Sequence, residues 1–309
     1  MPITSRPATL ADIDRCLSIQ PLYLGDALVG RRAAVDAWKH LARDGFFASN
    51  VLESTSLPLS DRIVGFGASV FLSPAFANAE LASPRPDINS RVIASVHSGR
   101  SVLAAYDEVA RGNATVGLDV LVLVGTWRDA ILSQQERQEA RTNLASSFVQ
   151  KHAGYRIRRV FVEAAEQPER DFAGQSIEFR LLAEFPESGR TLFLMTEESV
   201  QGIHGSLGNI LFKRYKPVLR LRDSDQQLLL AAMGGATDLE LVSEIGVTLS
   251  AVKARWRATF ARIAETIPEL IPDLDDHEGR GMQKRHRVLD YVRNHPEELR
   301  PYDWQQKTA

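Results

Sequence analysis

Cysteine is almost missing from this chain: Cys16 is the single one in 309 residues. That excludes an intrachain disulfide framework and suits a reducing compartment. No apolar stretch approaches the roughly 20 residues that a membrane-spanning helix needs. The opening MPITSRPATLADIDRC has no cationic segment followed by an apolar one, so the sequence predicts a cytoplasmic protein with no membrane partner. Charge of one sign is lacking too. With 37 Lys/Arg against 39 Asp/Glu the net charge is −2, which excludes a generally basic nucleic-acid coat. Internal repeats and low-complexity tracts are absent. So is a Gly-x-Ser-x-Gly elbow, which removes the common strand-turn-helix nucleophile. A phosphoacceptor receiver domain needs an acidic pair after its first strand, and Pro7-Ala8-Thr9 stands there instead.

What is present is ordinary globular composition, 44% hydrophobic and 25% charged, in a chain long enough for two cores. Before residue 200 the pattern alternates; after about 219 it is purely helical. Helices are expected at 9–18, opened by Thr9-x-x-Asp12, and at 30–43. IVGFGASVFL (63–72) reads as a strand, and VGLDVLVLV (116–124) as a central strand covered on both faces. Ser133-x-x-Glu136 is a capping box for a helix over 134–151. Strands are expected at 156–164 and 190–195. Strand, helix and strand with a crossover predict an α/β sandwich with a mixed sheet over residues 1–200, a sensor or dimerisation domain. A glycine-rich linker follows at 201–218, then an all-α domain at 219–309.

The all-α part carries the most explicit pattern. Leu228, Leu229, Ala231, Ala232 and Met233 make a short apolar helix stopped by Gly234-Gly235. Thr237 and Glu240 form a capping box for a second helix, with Leu241, Val242 and Ile245 on its apolar face, ended by Gly246. Thr248 caps a third helix, on which Leu249, Val252, Trp256, Phe260 and Ile263 share one buried stripe. Ser250, Lys253, Ala254 and Arg257 share the opposite face, two cations and two small residues suited to a major groove. Between Lys213 and Arg262 there are nine Lys/Arg against five Asp/Glu, a local basic footprint.

These residues, from Leu221 through Gly235, Thr237-Asp238-x-Glu240-Leu241, Ile245 and Val247-Thr248 to Ala251-Val252-Lys253, resemble the LuxR-type helix-turn-helix. Ser224-Asp225 replaces its usual arginine-glutamate pair, Arg255 stands where many members have histidine, and Trp256 is bulkier than usual. The resemblance implies that the helix starting at Thr248 enters DNA, with Lys253 on its backbone and Val252 in the core. The expected DNA-binding set is Thr237, Thr248, Ser250, Ala251, Lys253, Ala254, Arg255 and Arg257.

ITSRPATLADID, IVGFGASVFL and HAGYRIRRVFVEA resemble the GNAT acetyltransferase fold. That fold holds the acetyl-CoA pyrophosphate on the amides of an Arg/Gln-x-x-Gly-x-Gly/Ala loop at a helix N-terminus. The matching stretch, Arg128-Asp129-Ala130-Ile131-Leu132-Ser133, lacks both small residues and adds an acid. The sequence therefore predicts a degenerate GNAT-like domain with no catalytic residues, no cofactor and no metal. The chain as a whole is expected to be a homodimeric transcriptional regulator, not an enzyme. Its partners would be double-stranded DNA, a small-molecule effector and RNA polymerase. The alternative is an acyl-CoA-dependent N-acetyltransferase with an appended DNA- or protein-binding domain.

Lesser features read as structure. Asp275-Asp276-His277-Glu278 is dense in metal-type ligands but sits in a loop pattern. Cys16 belongs with Ile13 and Leu17 in a core. Trp127 and Arg128, or Trp38, Phe46 and Phe47, line either a pocket or a core. Near the C-terminus Val288, Leu289 and Val292 share a helix side ringed by Lys284, Arg285, Arg287 and Arg293. That helix either adds phosphate contacts or packs back on the three-helix motif.

Overall fold

The computed structural model describes residues 3–19, 26–165, 178–206, 208–271 and 280–305. It divides the chain into two compact units. The first is Met1–Val109, Val116–His152 and Ile157–Lys213; the second is Ala110–Thr115, Ala153–Arg156 and Arg214–Ala309.

The first unit is built on a seven-stranded mixed sheet. Its strands are β1 (Ile3–Pro7), β2 (Ala48–Ser54), β3 (Ile63–Leu72), β4 (Leu118–Trp127), β5 (Ile157–Ala164), β6 (Arg180–Phe185) and β7 (Arg190–Thr196). They lie in the order β1-β2-β3-β4-β5-β7-β6. β4 and β5 run parallel, whereas the other neighbours pair antiparallel. The helices are α1 (Ile13–Ile19), α2 (Asp26–Val29), α3 (Arg31–Leu41), α4 (Pro74–Ala82), α5 (Ile88–His97), α6 (Tyr106–Ala114, whose residues from Ala110 onward belong to the second unit), α7 (Gln134–His152), α8 (Glu197–Val200) and α9 (Gly208–Leu211).

Strand alternation divides the core between two sheet faces. On one face Val51, Phe66, Leu121, Leu123 and Phe161 join Ile13, Cys16, Trp38 and Val92 from the helices. On the other, Ile3, Leu52 and Val64 pack under Leu132, Ala140 and Leu144 of the α7 region. β3 and β4 are covered on both sides, which explains their nearly unbroken apolar runs. Trp38 and Cys16 are thus core residues, and burial pushes the Cys16 thiol up to about 12. Arg6 and Thr9 hold the Asp12 carboxyl well below the carboxylate range, Arg6 through paired bonds of 2.7 and 3.0 Å.

Several expected boundaries shift. The strand expected at 116–124 begins at Leu118 and runs on to Trp127. β2, β6, α4, α5 and α6 have no counterpart in the sequence reading. Within the expected linker, residues 208–211 are helical.

The second unit contains α10 (Asp223–Ala232), α11 (Asp238–Ile245), α12 (Leu249–Thr266) and α13 (Arg280–Asn294). Thr237 and Glu240 cap α11 reciprocally, and Gly246 closes it in the left-handed conformation at φ 70° that a side chain would strain. Thr248 caps α12 by accepting the Ala251 amide at 3.2 Å. Val252, Trp256 and Ile263 enter a core with Leu228, Leu229 and Leu241, and Val288, Leu289 and Val292 of α13 complete it. Leu249, expected on the buried stripe, is 36% exposed. Buried Asp225 ties this unit together, accepting from Thr259 Oγ1 at 2.8 Å, Arg262 Nε at 3.0 Å and the Arg222 amide at 2.9 Å. Arg285 donates to Asp238 Oδ1 and the Ala236 carbonyl and lies 4.8 Å from the Trp256 ring; Arg293 donates to the Met233 carbonyl. These two cations of α13 are therefore spent on packing within the unit. Among the described residues no helix is long and apolar enough to cross a membrane.

Candidate active site

The site arises where the sheet comes apart. The β4–β5 ladder ends at Val122↔Val162. Beyond it β4 continues to Trp127 against β3, and β5 continues to Ala164 against β7. Each strand follows its outer neighbour, so a wedge opens between them. A bulge sharpens the divergence: Ala68 faces Val124 and Ser69 faces Val122, leaving Leu123 as the extra residue of β4.

A cavity of about 1220 Å³ fills the wedge. Its walls include Val122–Trp127 of β4, Val160, Val162, Glu163 and Ala164 of β5, Asn89 of α5, and Gln134, Arg137, Gln138 and Arg141 of α7. At Gly125 a Cβ would meet nothing within 4 Å, so the backbone there is open to the cavity. Phe148, Phe179 and Met195 add apolar surface.

One ionisable side chain lies deep in this wall. Glu163 of β5 is 5% exposed. Its Oε1 accepts the Ile88 amide at 3.0 Å and its Oε2 the Asn89 amide at 3.5 Å, so it caps α5 from across the sheet. The local candidate, Asp87, sits at φ 60° and is turned instead toward Arg190 Nε at 2.9 Å. Burial raises the Glu163 carboxyl above its ordinary range, against the amide bonds and the Arg190 charge that favour the ionised form. Nothing in the sequence singled out Glu163. The Ile88 amide that it caps is 75 positions away, and no spacing rule reaches that far.

At the other end of the cavity, loop 128–133 is a short 3-10 turn, Asp129–Ile131, leading into α7. The Ser133 amide and hydroxyl both donate to Glu136 Oε2, at 2.9 and 2.8 Å, and Ser133 Oγ accepts the Glu136 amide at 3.3 Å. Asp129 accepts from Trp127 Nε1 at 3.1 Å and Arg137 Nη1 at 3.0 Å. A carboxylate already occupies the start of α7, and Ile131, 51% exposed, stands beside it.

These features test whether an acyl-CoA cofactor fits. Its pantetheine arm is an extended chain with two amides, which can bond to an unpaired strand edge as a further strand does. The open edge of β4 past Val122 offers that edge. The glycine-amide cradle for a pyrophosphate is absent; Arg128, Arg137 and Arg141 line the same cavity, Arg128 beside Asp61 at 3.6 Å and Arg137 beside Asp129 at 3.0 Å. The arm fits, and the phosphates fall to side chains.

No family model matches the sequence, and no curated protein matches it. Solved structures do. Arabidopsis thaliana NAA60 in complex with acetyl-CoA aligns at 15% identity and a TM-score of 0.40, over 63% of this chain and 99% of that one. An acetyltransferase from Thermus thermophilus aligns at 14% identity and 0.33, over 63% and 97%. Mosquito arylalkylamine N-acetyltransferase like 5b aligns at 10% and 0.39, over 63% and 99%. The first unit is GNAT-like in fold. Its own sheet of seven mixed strands, with one parallel pair and helices on both faces, is the ground for that statement.

The expectation of a transcriptional regulator that is not an enzyme is corrected. The unit expected to be an inert sensor holds an open wedge with a buried carboxylate in its wall.

The expected DNA-binding residues distribute unevenly. Ser250, Lys253, Ala254 and Arg257 are exposed together on α12. Thr237 and Thr248 are engaged as caps, and Ala251 is half-buried. Arg255 is half-buried with its Nη1 enclosed and without a hydrogen-bond partner, which removes it from an outward face. Asp275-Asp276-His277-Glu278 lies outside the described residues.

Proposed function

We propose that this chain is an acyl-CoA-dependent N-acyltransferase with an appended three-helix binding unit. The observation that carries the reading is the parting of β4 from β5 over a cavity whose wall holds Glu163. When bound, the cofactor supplies an acyl group on a thioester sulfur. Transfer forms a bond from an amine nitrogen to the acyl carbon as the carbon–sulfur bond breaks, and the sulfur leaves with the electron pair. The chain's own residues do the rest. The open β4 edge orients the arm, Arg128, Arg137 and Arg141 meet the phosphates, and the walls exclude water. Glu163, whose carboxyl burial raises, takes the proton that the amine sheds. Calorimetric titration of the full chain with acetyl-CoA tests the reading. Saturable binding with one equivalent supports it, and no heat at millimolar cofactor overturns it.

For the appended unit, exposure of Ser250, Lys253, Ala254 and Arg257 on one face of α12 favours duplex DNA as its partner. Lys253→Ala should lower affinity for all duplex sequences alike and reduce the salt slope by about one unit. An unchanged slope removes Lys253 from the phosphate contacts.

A further inference from the structure

Asn89 has an unusual set of partners. It is 3% exposed and lies in the cavity wall beside Glu163, whose carboxylate faces its backbone amide. Its Nδ2 donates to the Leu123 carbonyl at 3.1 Å. Leu123 is the bulge residue of β4, so its carbonyl lacks a place in the regular ladder and Asn89 satisfies it. A carbonyl only accepts, so the atom opposite it must be the NH2 and the orientation of the amide is fixed. Among the described residues the Asn89 Oδ1 is then left buried with no hydrogen-bond partner. An unmet acceptor in such a place is costly, and the cost is relieved by a ligand that brings an N–H.

We propose that Asn89 positions the acceptor substrate: its Oδ1 takes a hydrogen bond from a primary ammonium or amine, holding the nitrogen beside the Glu163 carboxylate. This rests on the acyltransferase reading and adds a residue that positions the acceptor nitrogen. One N–H of the nitrogen points to Asn89 Oδ1 and a second proton passes to Glu163. The freed lone pair forms the bond to the acyl carbon as the carbon–sulfur bond breaks, and the proton that the nitrogen then sheds goes to the departing thiolate. A quaternary ammonium has no hydrogen to offer and is excluded.

The experiment uses the full chain with acetyl-CoA, following release of the thiol with benzylamine, spermidine and the dipeptide Ala-Ala as acceptors. Benzyltrimethylammonium serves as a competitor. For an accepted amine, Asn89→Leu should raise the amine KM by about tenfold or more, the loss expected for a hydrogen bond to a charged group, and leave the KM for acetyl-CoA in place. The wild type should bind benzylamine at least about tenfold more tightly than benzyltrimethylammonium by the same reasoning, a preference that needs no variant to measure. An amine KM unmoved by Asn89→Leu, no preference between the two ammonium ions, or bound acetyl-CoA with no transfer to any amine overturns the assignment of Asn89. Failure of acetyl-CoA to bind at all overturns the acyltransferase reading itself.

Discussion

Two helices begin at the wall of the same cavity, and each is met by a glutamate. At α7 the partner is Glu136, in the first turn of the helix and near the surface. At α5 it is Glu163, brought from β5 and 5% exposed. Both carboxylates accept backbone amides, yet their ionisation moves in opposite directions. The Ser133 amide and hydroxyl hold Glu136 below the ordinary carboxylate range. Burial pushes Glu163 up, overriding the Ile88 and Asn89 amides. Where water is present, hydrogen bonding decides the pKa; where water is excluded, desolvation does. The first carboxylate is a permanent charge that closes a helix end. The second is poised to exchange a proton.

The largest effect that separates them is on turnover. Glu163→Gln keeps an acceptor for the Ile88 amide but cannot take a proton, so acyl transfer should fall by about 10²–10⁴-fold with acetyl-CoA binding retained. Glu136→Gln should leave turnover at saturating cofactor unchanged. Steady-state thiol release on both variants checks this, and equal losses would erase the distinction. In the wild type, turnover should rise with pH through the raised Glu163 value, since the ionised form is the base.

Stability against pH is the next effect. A carboxyl whose folded value lies above its unfolded value favours the fold at low pH, and that contribution is lost as pH rises through the folded value. Wild type should therefore lose stability relative to Glu163→Gln as pH climbs from about 4, the ordinary glutamate range, toward neutrality. Denaturant unfolding of the two proteins at several pH values measures the gap. A gap that does not change with pH would mean that the charged form is as well solvated inside the wall as in the unfolded chain.

A smaller effect tests the other helix. Glu136 places a negative charge where the phosphates of a cofactor would approach α7. Glu136→Gln should tighten acetyl-CoA binding several-fold, from removal of one like charge at the exposed mouth. The gain should shrink with added salt. Unchanged affinity by calorimetry would place the phosphates away from this helix end.

The contrast also explains what could be read in the sequence. Ser133-x-x-Glu136, Thr9-x-x-Asp12 and Thr237-x-x-Glu240 were all legible, because a capping box is closed within four residues. β3, α7 and β7 were legible from unbroken apolar runs or capped helical spacing. The wedge was not. It depends on which strand follows which neighbour after Val122 and Val162, and on a bulge at Leu123 that appears only against β3. Glu163 and Asn89 become a pair through contacts 74 residues apart. The loop 128–133 was read correctly as lacking a glycine cradle, yet the inference from it to an inert domain failed, because other elements build the rest of the cavity. Edge strand β6 and the α4–α6 region escaped for a plainer reason: their burial is partial or their apolar positions lack a single period.

The smallest effect joins the two units through a shared device. Thr237 and Glu240 at α11 repeat the bonds of Ser133 and Glu136 at α7. The Glu240 amide reaches Thr237 Oγ1 at 3.3 Å, and Thr237 Oγ1 donates to Glu240 Oε2 at 2.8 Å. Both boxes are exposed, so each removes only a hydroxyl that water can partly replace. Thr237→Ala and Ser133→Ala should each cost about 0.5–2 kcal/mol in unfolding free energy. Denaturant melts of the full chain measure both. Their ligand effects should differ: Ser133→Ala frees the carboxylate at the cavity mouth and shifts acetyl-CoA affinity, whereas Thr237→Ala leaves it unchanged. If Thr237→Ala moves acetyl-CoA binding as much as Ser133→Ala does, the α7 box is a helix cap like any other, and its glutamate has no special relation to the cavity.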